Sequence, residues 1–194
     1  MNRRKITRGL NTDQVKALNS GWHHARRLGM PLNTFVTFRP LEDAHDTLAI
    51  CLLFATLRNK LGCYARQRGF QPAFVWSIEA NRDGGGLHLH VLIHIPKDHY
   101  RHFEATCLGW MPGAHEVDVR PAHQGTVITS DGKRHSAVSY VSKQMTPQAW
   151  YGRGLRRQPG GPVLGKRGGV SLTLDWKAQR AWANAAIPVR AAAA

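Results

Sequence analysis

Leu87-His88-Leu89-His90-Val91-Leu92-Ile93-His94-Ile95 is the stretch from which the rest of the chain is best read. Side chains of a β-strand alternate between its two faces. Leu87, Leu89, Val91, Ile93 and Ile95 therefore share one face, which is apolar throughout and belongs in a core. His88 and His90 share the other face, with Leu92 and His94 further along. Two imidazoles two residues apart on a strand can chelate one cation. His94 stays open at this level: a third ligand, a nucleic-acid contact or a surface residue.

Working outward, Asn81-Arg82-Asp83-Gly84-Gly85-Gly86 reads as a turn, because glycine tolerates positive φ. Phe74 to Ala80 precedes it as a strand, so the two strands form a hairpin. If the hairpin closes evenly about the Asp83–Gly84 bond, Glu79 lies opposite His88, and directly paired residues point to the same face. Two histidines and a carboxylate bind first-row divalent metals, and the carboxylate admits Mg²⁺ and Mn²⁺. Three protein ligands leave coordination positions open for a substrate. A one-residue slip in register turns Glu79 away. The competing reading is a polar strand face with incidental histidines.

Thr12 is the expected cap of a helix that runs to about Leu28 and stops at Gly29, with Val15, Leu18 and Trp22 on its apolar side. Lys16, His23, Arg26 and Arg27 form its basic faces, either DNA-facing or merely solvated. Leu32 to Leu41 reads as a strand through Phe35-Val36-Thr37-Phe38, ended by Pro40. Ala44 to about Arg68 reads as a long helix burying Leu48, Cys51, Leu52 and Ala55. Asp98 caps a helix that carries Tyr100, Phe103 and Cys107 inward, and Glu116 to Arg120 alternates as a strand. Ser130-Asp131-Gly132 is a hairpin turn. Ser136 to Met145 reads as a helix ended by Pro147, and Val170 to Trp176 as a last strand before a short helix. Residues 151–169, rich in Gly, Pro and Arg, read as a flexible basic loop. Strands and helices mix without a βαβ rhythm, which favours an α+β fold: an antiparallel sheet flanked by helices.

The 194 residues suit one domain, and 42% hydrophobic residues suffice for a core. The charge is unusual: 27 Lys and Arg against 12 Asp and Glu, a formal +15. Such a field attracts polyanions, nucleic acid first among them, although an arginine-prone composition produces the same excess. Cys51, Cys63 and Cys107 are too few and too scattered for a disulfide framework, which fits a reducing, cytoplasmic setting. The basic start Met1-Asn2-Arg3-Arg4-Lys5 is not followed by an apolar run, so it does not read as a signal peptide. The most apolar stretch, Leu48 to Leu57, is too short to span a bilayer and reads as a buried helix.

Tyr140-Val141-Ser142-Lys143 places a phenol and an ammonium three residues apart on one helix face. That face is distinct from the apolar stripe of Val138, Val141 and Met145. A phenol with a pKa of about 10 is a weak nucleophile at neutral pH, and a neighbouring cation favours the phenolate. Phosphoryl transfer needs mainly positioning and charge stabilisation, for which these groups suffice. A half-buried packing tyrosine is the competing reading.

His88-Leu89-His90 followed by Tyr140-Val141-Ser142-Lys143 resembles the HUH endonuclease superfamily, whose hallmarks are His-hydrophobic-His and a Tyr-x-x-Lys helix. Phe35-Val36-Thr37-Phe38-Arg39-Pro40 is similar to the first strand motif of its replication initiators, and Lys166-Arg167-Gly168-Gly169-Val170-Ser171 loosely to the segment entering their last strand. The resemblance covers roughly residues 32–176, leaving 1–31 as a basic helical extension of a single domain. It implies a five-stranded antiparallel sheet with a metal site at its centre. It also implies site-specific nicking of single-stranded DNA, with a covalent 5′-phosphotyrosine and a free 3′-OH, suited to rolling-circle replication of a plasmid or phage. His88 and His90 carry over as metal ligands, Tyr140 as nucleophile and Lys143 as its helper; Glu79 carries over less firmly, because the third ligand varies.

The chain departs from some branches. One motif tyrosine is present, with Tyr151 beyond Pro147, and no His-rich third motif or helicase segment follows. A host helicase is a candidate partner. Gly160 to Lys166 superficially resembles a phosphate-binding loop, but Arg167 stands where Ser or Thr is needed and Pro162 interrupts it, so no nucleotide cofactor is expected. Arg39, Arg153, Arg156, Arg157, Lys166 and Arg167 are the expected DNA contacts. Trp76, Trp110 and Trp150 are candidates for base stacking, with core packing the stronger reading for Trp76. The alternatives are a relaxase or single-tyrosine transposase with the same chemistry, a metal-stabilised DNA-binding module without catalysis, and a structural metalloprotein whose charge is incidental.

Overall fold

Alternation around His88 does build a strand, and its neighbours in space are the segments richest in β-branched and aromatic residues. The structure is a computed structural model that describes residues 5–40, 47–111, 116–122, 126–128, 132, 134–150 and 158–186. The strands are β1 (Ile6–Thr7), β2 (Thr34–Phe38), β3 (Phe74–Glu79), β4 (His88–Ile93), β5 (Val117–Pro121), β6 (Thr126–Ile128), β7 (Arg134–Ser136), β8 (Val163–Leu164) and β9 (Gly168–Val170). The helices are α1 (Thr12–Arg27), α2 (Thr47–Gln67), α3 (Tyr100–Leu108), α4 (Ala137–Val141), α5 (Pro147–Trp150) and α6 (Trp176–Ala186). Five strands form one sheet in the order β5-β2-β4-β3-β9, antiparallel throughout. The fold is thus α+β around a five-stranded antiparallel sheet. β1 pairs with β8, and β6 with β7, as two small separate ribbons.

The sheet carries a core on each face. On one, Leu89, Val91, Ile93, Phe74, Trp76 and Ile78 pack against Ile50, Phe54, Leu57, Leu61 and Tyr64 of α2 and Phe103 and Cys107 of α3. On the other, Leu92, Phe35 and Val75 pack against Val15, Leu18 and Ala25 of α1, Val141 of α4, Ala149 of α5 and Leu174. Each large side chain so enclosed contributes about 1.5–3 kcal/mol of hydrophobic stabilisation. The N-terminal segment expected as an extension is therefore part of the packing: α1 covers the second face and β1 is paired. Asn11, rather than Thr12, caps α1: it accepts from the Gln14 amide at 2.8 Å while Gln14 Oε1 accepts from the Asn11 amide at 3.0 Å, a reciprocal capping box.

Several expected elements differ. The buried stripe of α2 runs through Ile50, Cys51, Phe54, Leu57 and Leu61, whereas Leu48 and Leu52 are 42% and 48% exposed and Ala55 is only half-buried. At 21 residues α2 is long and apolar enough, by length and composition, to cross a membrane, yet this stripe is packed on the sheet. Its expected start at Ala44 lies outside the described residues. Asp98 lies within a 3-10 turn, Lys97–His99, that leads into α3, and does not cap it. The expected helix from Ser136 to Met145 stops at Val141. There Ser142 Oγ donates back to the Val138 carbonyl at 2.8 Å, a local bond that competes with helix continuation. Pro147 opens α5 rather than ending its predecessor, in keeping with proline's fitness for a first helical turn. Within the expected loop, residues 158–169 are structured and supply β8 and most of β9. The expected final strand is shorter and earlier, ending at Val170 before a 3-10 turn, Leu172–Leu174.

Candidate metal centre and nucleophile

The β3–β4 hairpin closes evenly. Glu79 pairs with His88 and Ser77 with His90, while β2 sets Thr37 opposite His90 from the other side. Glu79, His88 and His90 consequently converge on the α1 face, at the end of the sheet nearest the turn. His88 Nε2 is 2.6 Å and His90 Nε2 2.9 Å from the same Glu79 oxygen, Oε2. The prospective ligand atoms all lie within 4.8 Å of one another, so one ion can meet the three. Glu79 and His90 are buried and His88 half-buried.

The outer ring nitrogens are held by protein. His88 Nδ1 meets the Gly86 carbonyl at 2.8 Å, and His90 Nδ1 meets Thr37 Oγ1 at 3.0 Å. Such partners orient metal-binding histidines and select their tautomer. A carbonyl only accepts, so His88 Nδ1 carries the proton. His88 Nε2 stands at hydrogen-bond distance from the carboxylate oxygen, so a proton joins them when the imidazole is charged, and a bound cation could take the place of that proton when it is neutral. Burial lowers the pKa of His88, opposed by the Gly86 bond, and holds that of His90 well below the usual value. Both shifts favour the neutral imidazoles that a metal requires. The donor set therefore fits a divalent ion.

Tyr140 comes to this centre from α4. Its ring stands edge-on to His90 with centroids 5.2 Å apart, and edge-on to Phe35 at 5.6 Å. Lys143, just beyond the shortened helix, lies with Nζ 3.7 Å from the Tyr140 ring centroid and 2.9 Å from Glu79 Oε1. Burial pushes the Lys143 pKa down to about 8. Glu79 and Lys143 together are electrically neutral, so a divalent ion would leave a net positive site, matched to a phosphate. The expected proximity of phenol, ammonium and imidazole pair is thus present.

Three contributors had no local signal in the sequence. Gln144 clamps the backbone of Ala80, accepting from its amide at 3.1 Å and donating to its carbonyl at 2.9 Å. Because Gln144 follows Lys143 and Ala80 follows Glu79, this clamp sets the ion pair. Thr37 orients His90 from 53 residues away. His135, on β7, brings a third imidazole to within 5.8 Å of the Tyr140 ring centroid.

The expected DNA contacts divide. Arg39 is exposed at the end of β2, and its charge reaches both His88 and His90. Lys166 is exposed beside the Gly165 turn. Arg167 corrects the expectation: it is fully buried and donates to the carbonyls of Ile78, Thr7 and Gly161 and to Gln144 Oε1 at 2.8–3.1 Å. Its guanidinium is consumed in tying β1, β3 and the segment after α4 together. Arg153, Arg156 and Arg157 lie outside the described residues. His94 bonds the Pro31 carbonyl at the far end of β4 and is no ligand of this group. Trp76 is core, Trp110 half-buried and Trp150 exposed. No protein-family model, no curated protein and no solved structure matches this chain.

Proposed function

We propose that the chain is a metal-dependent nickase of single-stranded DNA, with Tyr140 as nucleophile and Glu79, His88 and His90 as ligands of Mg²⁺ or Mn²⁺. The observation that carries this reading is the Tyr140 ring set 5.2 Å from His90, with the Lys143 ammonium against both the ring and Glu79. The ring also packs against Phe35 and the core beneath it, so what favours chemistry over packing is the ammonium held against it beside two imidazoles. The likeness of the two motifs to HUH endonucleases points the same way.

In this reading the Tyr140 oxygen forms a bond to phosphorus and the bond from phosphorus to the 3′ oxygen breaks. The phenol proton goes to a base, for which His135, its ring centroid 5.8 Å from that of Tyr140, is the candidate. The departing 3′ oxygen takes up a proton and becomes a 3′-OH, and the 5′ phosphate remains esterified to Tyr140. Lys143 favours the phenolate and balances charge on the phosphate. Arg39 holds a flanking phosphate. A bound divalent ion supplies Lewis-acid polarisation of the scissile phosphate. Because the phosphotyrosine keeps the ester's energy, a second 3′-OH can reverse the step, which is the chemistry of rolling-circle initiation and of strand transfer.

Labelled single-stranded DNA incubated with the protein and Mn²⁺ should give a protein-linked band on a denaturing gel, prevented by EDTA. Tyr140→Phe should remove the band while DNA binding survives. An undiminished adduct from that variant would falsify the nucleophile. Retardation of DNA on a native gel with no cleavage under any divalent metal would identify a binding module instead.

A further inference from the structure

On the face of the sheet opposite the metal centre, a cavity of about 260 Å³ opens between the second half of α2 and the segment that follows β9. Arg58, Asn59, Gly62 and Arg66 line it from α2; Phe74 and Trp76 form its floor. Arg58 lies flat on the Trp76 indole, its guanidinium carbon 3.9 Å from the ring centroid. This stacking presents one edge of the guanidinium fork, yet Nη1, although shut off from solvent, donates to no acceptor. Burial lowers the Arg58 pKa, which expresses the same cost of an enclosed cation. A buried donor on a charged group without an acceptor is expensive, typically by ~1–3 kcal/mol or more. Such a group calls for an explanation, and an anion that accepts from it is one.

The surroundings say which ligand. Among the described residues that line it there is no carboxylate, so no anion of the lining offsets its two guanidinium groups. Gly62 lies under the Arg66 guanidinium, whose Nη1 is 3.4 Å from where a methyl at that position would stand, so the second guanidinium folds back along α2 beside the first. Planar forked donors match phosphate oxygens. The volume is below the ~300 Å³ at which pockets for whole drug-sized ligands begin, so one phosphate and part of what it esterifies would fill it. We propose that Arg58 and Arg66, on their Trp76 floor, form a phosphate-binding pocket separate from the metal centre. It takes either a nucleotide monophosphate or a backbone phosphate of a nucleic-acid strand. The pocket does not depend on the nickase reading, because it shares no residue with Glu79, His88, His90, Tyr140 or Lys143.

Calorimetric titration of the full chain with inorganic phosphate, thymidine monophosphate and an oligothymidylate, at low salt, tests it. The native protein should show one saturable phosphate site. Arg58→Gln and Arg66→Gln should each weaken it about tenfold, the loss of a charge-assisted bond. Arg101→Gln, which removes one exposed charge from α3, should leave it unchanged. If the occupant is a free nucleotide, thymidine monophosphate binds more tightly than inorganic phosphate and loses that affinity in Arg58→Gln. If it is a strand, oligothymidylate binding falls in the same variant, and thymidine monophosphate binds no more tightly than inorganic phosphate. Should Arg58→Gln fail to fold, as judged by its circular dichroism, Arg66→Gln carries the test from the pocket rim. Equal weakening by Arg101→Gln, or native phosphate affinity in the folded pocket variants, overturns the proposal.

Discussion

Thr37 shows how much of the candidate metal centre is decided by single atoms. Its hydroxyl is the partner of His90 Nδ1 at 3.0 Å, and losing it frees the ring to turn. Partners of this kind are worth roughly 10–100-fold in metal affinity. Thr37→Val, which keeps the shape, should weaken Mn²⁺ binding by about that factor in a calorimetric titration; unchanged affinity would show that His90 is oriented by packing alone. His24 makes a second prediction. It is buried, its Nδ1 has no hydrogen-bond partner, and Trp182 stands edge-on at 5.8 Å. Burial, and then the charge of Arg27, lower its pKa below the usual value. The folded chain therefore keeps His24 neutral while the unfolded chain protonates it below about pH 6.5. The unfolded state binds more protons there, so stability is full above that pH and declines as pH falls through the folded pKa. His24→Leu should flatten the loss of unfolding free energy between roughly pH 7 and 5 in urea titrations. A slope identical to the native one would remove His24 as a contributor.

At the scale of elements, the hairpin was readable and the helices less so. A strand with one apolar face and a glycine turn has few ways to close, so the pairing of Glu79 with His88 followed from symmetry about Asp83 and Gly84. The face of α2 did not follow, because Leu48, Leu52 and Leu53 make its first half apolar all round. Only the longer run through Phe54, Leu57, Leu61 and Tyr64 distinguishes the buried side. The end of α4 was hidden for a different reason. It depends on Gln144 reaching Ala80 and on Leu10 exchanging backbone bonds with Gln144 and Thr146, contacts made across more than 60 and 130 residues. Arg167 is the strongest case: a charge in a Gly-rich basic stretch looks solvated, yet it stitches four segments from within. Arg167→Met would strand the Ile78, Thr7 and Gly161 carbonyls and the Gln144 amide oxygen at once. Breaking a buried charged network costs about 3–5 kcal/mol. Chemical denaturation should show a loss of that order, and a variant within about 0.5 kcal/mol of native would mean that Arg167 is dispensable. Because Gln144 also sets Lys143 against Glu79, the same variant should loosen the candidate site.

For the molecule as a whole, the formal charge of +15 matters by where it is free to act. Cations already spent inside, Arg167 above all, add nothing to a surface field that a strand can neutralise. Arg39 and Lys166 are exposed, and only Arg39 stands where its charge is felt by the histidine pair. Each phosphate neutralised on a single strand releases condensed counterions, and the slope of log affinity against log salt steepens by about 0.7 per contact. Arg39→Gln should therefore weaken single-stranded DNA binding by a similar factor for every sequence and shallow that slope by about 0.7, as read from filter or anisotropy titrations over a range of NaCl. Lys166→Gln should shallow it likewise if the strand runs past the Gly165 turn, and leave it unchanged if the strand leaves the site by another route, so the pair of variants traces the path of the DNA. Affinity insensitive to salt in the native protein would mean that its positive surface is not a phosphate surface, and the assignment of Arg39 would fall with it.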